Sequence, residues 1–216
     1  MTEKQTDYEA SLGACVYWGP RKEDAVSCAL RTQNFLSAVA LVSDDFGGWR
    51  FGGTSEEVAR ANPLIDLSVE VLTTLLEEGR NRTDVGNEVI EDLGYRISVW
   101  NGGTPEHATS LMIGCGKYST VGNSGNAVVL GLPAAFNVNS AGLLRKLMEA
   151  MVEPWEPDWA GVFSSEARRA HNEHSPFLHK ALYLRAGVPL PVHLPSSGVE
   201  TIDLASGRLL LHADEQ

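Results

Sequence analysis

The sequence predicts an α/β (α+β) fold in which a central, mostly antiparallel or mixed sheet is flanked by helices and finished by a C-terminal β-hairpin. Three observations predict it. Tyr95–Trp100 alternates in polarity, and Ser110–Cys115 and 127–130 are more continuously apolar, so three neighbouring strands fall in the middle of the chain. Amphipathic runs at helical spacing lie on both sides of them. Near the end, Val199–Leu204 and 209–211 flank Ser206-Gly207, the pattern of two strands joined by a tight turn.

Taken in order, 11–17 reads as a short strand, and Gly19-Pro20 makes a turn that places proline where a helix can begin. In that helix Ala25, Cys28, Ala29, Thr32, Phe35, Leu36 and Val39 share one face, while Arg31, Gln33 and Asn34 point away. Residues 44–53 are a turn, a brief strand carrying Trp49 and Phe51, and a glycine-rich turn. Thr54 and Glu57 match a capping box for a short helix. A stronger helix spans 66–78, with Leu72, Leu75 and Leu76 on one side and Gly79 as its stop. Residues 81–92 form a loop and a short helix ending at Gly94. After the three strands, 140–152 is an amphipathic helix broken by Pro154 and Pro157, and 158–163 is a strand. Residues 164–180 are polar and carry histidines, and prolines 189, 191 and 195 mark a loop. Residues 1–216 read as one domain, because the chain shows no repeat, low-complexity tract or linker.

The 216 residues, 43% hydrophobic and 21% charged, are enough to bury about 70% of the unfolded chain's surface. A polar N-terminus without an apolar core predicts no secretory signal, and no apolar run approaches the roughly 18 residues of a membrane span. Three cysteines without a CxxC pair, Cys15, Cys28 and Cys115, are expected to be reduced core residues in the cytoplasm. The net charge of −11 repels phosphate, which disfavours direct nucleic-acid binding, and attracts basic surfaces.

No complete catalytic signature is present. In 114–120 the residue after Gly116-Lys117 is Tyr118, where a phosphate loop needs Ser or Thr, and Leu111 replaces its first glycine. In 122–126 the position two after Ser124 is Asn126 rather than the glycine of a nucleophile elbow. His171, His174 and His179, with Glu173, are the best metal-ligand cluster, yet their spacing is not that of the zinc hydrolases. Cys115 and His107 have no orienting group to make a thiolate pair. Asp44-Asp45, Glu56-Glu57 and Glu77-Glu78 are explained as solvated acids at helix ends. The expectation is therefore no metal, no cofactor and no catalysis; the competing reading is a metal-dependent hydrolase built on His171, His174 and His179. Five tryptophans beside turns (Trp18, Trp49, Trp100, Trp155, Trp159) offer interface aromatics next to acids.

The block Gly13-Ala14-Cys15-Val16-Tyr17-Trp18-Gly19-Pro20-Arg21-Lys22-Glu23, with Cys28 and Phe35-Leu36 after it, resembles the opening of the bacterial immunity protein 52 family. A second block, Gly94-Tyr95-Arg96-Ile97-Ser98-Val99-Trp100-Asn101-Gly102 followed by Leu111-Met112-Ile113-Gly114-Cys115-Gly116, resembles that family's Trp-Asn-Gly strand and the glycine-bounded strand after it. The two blocks cover about a quarter of the chain. The resemblance implies an α/β protein of a polymorphic toxin system, including those of interbacterial competition by type VI secretion. Such a protein binds and neutralises a cognate toxin, often a nuclease of the restriction-endonuclease type. A basic nuclease would be the partner, with neither nucleic acid nor membrane bound directly. Tyr17, Trp18, Gly19, Pro20 and Gly102 carry the resemblance as structural or binding residues, and Asp44, Asp45, Trp49, Trp100 and Asn101 are the expected toxin contacts.

Overall fold

The computed structural model describes residues 11–120, 125–171, 175–195 and 197–212. Its eight strands form one sheet in the order β2-β3-β4-β1-β5-β6-β8-β7, and every pairing is antiparallel. β1 (Leu12–Trp18) lies between β4 (Asn126–Gly131) and β5 (Trp159–Ser164). β2 (Tyr95–Trp100) and β3 (Ser110–Cys115) continue the sheet beyond β4, with the bounds expected from their sequence. β6 (Ala181–Arg185), β7 (Val199–Leu204) and β8 (Gly207–His212) complete the other half, and β7 and β8 are the C-terminal hairpin.

Helices α1 (Ala25–Ala40), α3 (Val69–Glu78) and α4 (Ala141–Trp155) pack on one face of this sheet. The period-3.6 stripe of α1 is realised in full: all seven residues assigned to its inner face are buried. They meet Ala14, Val16 and Trp18 of β1, Leu144, Leu147, Met148 and Met151 of α4, and the inward residues of β2 to β4 in one apolar cluster. On the opposite face a smaller cluster joins Cys15, Trp159, Phe163, Leu182, Leu184 and Leu210 to Phe177. It is roofed by α5 (Ser165–His171) and by residues such as Leu178, Val188 and Leu194. The β2 to β4 part of that face has no such roof: Arg96, Ser98 and Ser110 are exposed, and Met112, Ala127 and Val129 are half-buried.

Several local expectations shift. The helix after Gly19-Pro20 begins at Ala25, because Asp24, not Pro20, supplies the cap: its carboxylate accepts from Ser27 N at 2.7 Å. α2 (Glu56–Ala61) is capped by Ser55 rather than Thr54, and α3 starts at Val69 behind a Ser68 cap rather than at residue 66. The brief strand at Trp49 and Phe51 is reduced to one bridge between Arg50 and Trp100. Pro154 does not end α4, which runs on to Trp155. In a last turn proline forfeits one hydrogen bond worth about 1 kcal/mol, whereas truncating a buried Trp costs about 3–5 kcal/mol. Trp155 is fully buried, stacked 5.3 Å from Trp18, so burial wins. β6 had no counterpart in the sequence reading.

Candidate functional site

Trp100-Asn101-Gly102 leaves β2 and binds the 44–62 segment to the loop before β3. Arg50 pairs with Trp100 through both backbone groups, at 2.8 and 3.0 Å. The Asn101 amide donates to Asp45 O (2.9 Å) and His107 O (2.8 Å), while its Oδ1 accepts from Gly103 N (2.9 Å) and Thr109 N (3.0 Å). Gly102 has φ of 71°, a left-handed backbone that favours glycine, and presents its carbonyl to Arg60 at 2.9 Å. Arg60 also reaches Gly103 O and Glu56, with its guanidinium 5.7 Å from the centre of the Trp100 ring. The indole of Trp100 donates to Phe51 O at 3.2 Å and remains half-buried. Asp45 faces His107 Nδ1 at 3.1 Å, and Asp44 is exposed. The structure thus gathers Asp45, Trp100, Asn101 and Gly102 at one corner. Trp49 goes elsewhere: at 2% exposure it is part of the core, and the contact role expected of it gives way to a packing role.

The other signature block builds a second corner. Gly19 N donates to Asp158 Oδ2 at 2.8 Å, and Gly19 O accepts from the fully buried Asn126 at 2.8 Å. Asn126 also accepts from Lys117 N at 2.8 Å. Tyr17 stacks on Trp159 at 4.4 Å, and Pro20 is exposed at the turn. Just beyond, Glu23 bridges Arg21 (2.8 Å) and Arg31 (2.7 Å). Those arginines donate to Trp155 O (3.0 Å) and Pro154 O (2.6 Å), the open carbonyls at the end of α4. This ion cluster had no counterpart in the sequence reading, since a pairing of residues 8 apart across a turn has no local pattern.

Among the described residues none of the motif-like stretches assembles chemistry; of the 122–126 stretch, residues 122–124 lie outside the described residues. The 114–120 run is a strand end: Lys117 N is held by Asn126, and Tyr118 N and Ser119 N both donate to Asp92 O. His171 stacks on Phe177 at 4.4 Å and bonds Ser175 at 2.9 Å, the His179 carbonyl accepts from His212, and His174 lies outside the described residues. No group of three or more His, Cys, Asp or Glu able to hold a metal occurs among the described residues. All three cysteines are buried free thiols. Burial pushes the Cys15 thiol up to about 11, against the opposing pull of Tyr17 and Arg168. A hydrogen bond with Cys28, then burial, raises Cys115 well above the ordinary range. On the unroofed sheet face two open hollows of about 480 Å³ each share Tyr17, Val129 and Arg168, and neither presents a reactive nucleophile.

The charge is unevenly placed. Residues 44–106 hold 13 of the 28 acids but five of the 17 Lys and Arg, and so −8 of the net −11. Within this stretch Arg50 and the exposed Arg60 are held on backbone carbonyls, and the acids still outnumber the bases by eight. This concentration was countable in the sequence, but the placement of the arginines was not. No described helix is long and apolar enough to cross a membrane.

No curated protein matches the chain significantly. Among solved structures it is similar to the Pseudomonas aeruginosa T6SS protein PA0821, with 12% sequence identity and a TM-score of 0.54 over 93% of this chain and 68% of that one. At that identity the likeness speaks for the fold alone. The family model for Immunity protein 52 matches residues 10–208, nearly the whole sequence and both signature corners, and the chain therefore belongs to the Immunity protein 52 family.

Proposed function

We propose that this protein is an immunity protein of a polymorphic toxin system, which binds a cognate bacterial toxin in the cytoplasm and neutralises it by direct contact, without catalysis, metal or cofactor. The observation that carries this reading is the family match across residues 10–208. The T6SS neighbour, similar in fold alone, is in keeping with a system delivered by type VI secretion. The −8 stretch at 44–106 supports a basic target, and a nuclease domain is such a target because it must hold a polyanion. Asp44, Asp45, Trp100 and Asn101 belong to that stretch, Asp44 and Asp45 as outward charge and Trp100 and Asn101 chiefly as its frame. The same field opposes direct binding of nucleic acid or of an anionic membrane.

Co-expression tests it. Cells carrying the toxin encoded beside this chain survive only when the chain is present, and the two co-purify. A chain that neither protects nor co-purifies ends the proposal. A hydrolase built on His171, His174 and His179 is favoured by no described contact, since His171 is engaged by Phe177 and Ser175.

A further inference from the structure

Three large apolar side chains stand exposed together on the segment that carries the charge. On the extended backbone at 49–51, Trp49 turns inward at 2% exposure and Phe51 turns outward at 40%. Val58 of α2, 47% exposed, lies over Gly53, and Leu64, 59% exposed, lies beside Gly48. Phe51 lies between those two glycines in sequence, and Asn62, which donates to its carbonyl, ties it to the stretch that carries Val58 and Leu64; these three side chains are the ridge. Of the other exposed apolar residues, Val26 and Leu30 share α1 and Leu190 and Val192 share one loop, but neither pair has an aromatic member, and Leu41 and Val85 belong to separate segments. An apolar cluster with an aromatic member and a charged rim has the make-up of an interface centre rather than of ordinary surface.

The ridge is held rigid from below. Asn62 donates to Phe51 O and Gly52 O at 3.0 Å each, Arg50 to Asn62 O at 2.9 Å, and Trp100 Nε1 to Phe51 O at 3.2 Å. A surface ordered in advance loses little entropy on binding. Its rim is Asp44, Asp45, Glu56, Glu57 and Asp66; Asp44, Glu57 and Asp66 form no ion pair among the described residues. The unroofed sheet face is the competing surface, and it carries Arg96 and Arg168, the wrong sign for a basic partner.

Resting on the toxin-neutralising reading, we propose that the toxin docks on the Phe51–Val58–Leu64 ridge, with an apolar recess of the toxin over the ridge and a collar of Lys and Arg over its acidic rim. The toxin domain encoded beside this chain, inactivated in its own active site, is the probe. Titrated into it, the double variant Phe51→Ala/Leu64→Ala raises Kd at least about thirtyfold, as for a central hot spot, with an unchanged circular dichroism spectrum and melting curve. Asp44→Lys/Glu57→Lys, which touches no packed residue, slows association about tenfold. The proposal is overturned if both variants bind within threefold of the parent while Met112→Ala on the open sheet face loses binding. In that outcome the toxin-neutralising reading stands and only the surface is wrong. A parent chain that itself fails to bind the toxin overturns both.

Discussion

Four hydrogen bonds converge on the Asn101 side chain, two donated and two accepted, so its amide satisfies backbone groups from three separate stretches of chain. Alanine there leaves those groups to water or to nothing. With each bond worth about 0.5–1.5 kcal/mol net and the site half-open to solvent, Asn101→Ala costs about 2 kcal/mol in urea unfolding. Its effect on toxin affinity should follow from that loss of order, and Asn101→Asp, which keeps the two acceptor bonds, should recover part of the stability. Reactivity at single residues is equally constrained. Cys15, with its thiol at about 11, and the buried Cys115 remain protonated near neutrality, so iodoacetamide at pH 8 labels the native protein far more slowly than the urea-unfolded chain. Fast native labelling would contradict this burial. Residue identity in the sequence predicted buried cysteines and an outward Asp44, but of the two nearby aromatics it favoured Trp49, which is buried, over Phe51, which is exposed. Which of two alternating aromatics faces water depends on the side of the strand that meets Val99 and Leu72, and that is tertiary information.

At the scale of elements, helix ends decide the outcome. α4 closes on two carbonyls taken up by Arg21 and Arg31, and Glu23, with its side chain 11% exposed, holds both arginines in place. Glu23→Ala leaves two half-buried cations without their shared partner and costs about 2 kcal/mol, less than a fully buried pair because the arginines retain solvent. Equilibrium unfolding measures it; a cost under 0.5 kcal/mol would make the cluster ornamental. At the start of α1, the backbone hydrogen bond from Ser27 holds the Asp24 carboxyl below its ordinary value of 3.8. A carboxylate whose folded pKa is depressed contributes stability that is fully present above its unfolded pKa and is lost as pH falls through the folded one. Asp24→Asn, which keeps the cap but cannot ionise, therefore flattens the acid limb of the stability profile below about pH 4 and leaves the profile at pH 7 to 8 parallel to that of the parent. Element existence was legible wherever periodicity ran long, as in α1 and in β2 and β3, whose bounds match the sequence reading. It failed at β6. β6 is five residues, Ala-Leu-Tyr-Leu-Arg, with no alternation because both faces of it are covered, and a short apolar run of that kind does not announce strand or helix. The cap of α2 slipped by one residue because Thr54 and Ser55 are equally able to cap until the backbone turn before the helix is fixed.

For the molecule as a whole, the sheet separates a roofed face from an open one and the 44–106 stretch concentrates charge at the β2 side. Composition exposed the sign of that charge, and the two signature blocks pointed to the family, but neither said that the signature corners are occupied by internal bonds while the exposed Phe51 stands beside the Trp100 corner. On the proposed reading, association with a basic toxin follows this distribution. A net −8 confined to one region acts over about 30 Å at 0.01 M ionic strength, about 8 Å at 0.15 M and about 3 Å at 1 M. Encounter is steered by that field, whereas the Phe51–Val58–Leu64 ridge, once seated, sets how long the complex lasts, and burial of apolar surface is little affected by moderate salt. Stopped-flow measurements between 0.02 and 0.5 M NaCl should therefore show the association rate falling about 10- to 100-fold while the dissociation rate changes less than about threefold. If the association rate stays flat, the acidic stretch has no part in recognition; if dissociation carries the salt dependence instead, charge pairs rather than the apolar ridge hold the complex together.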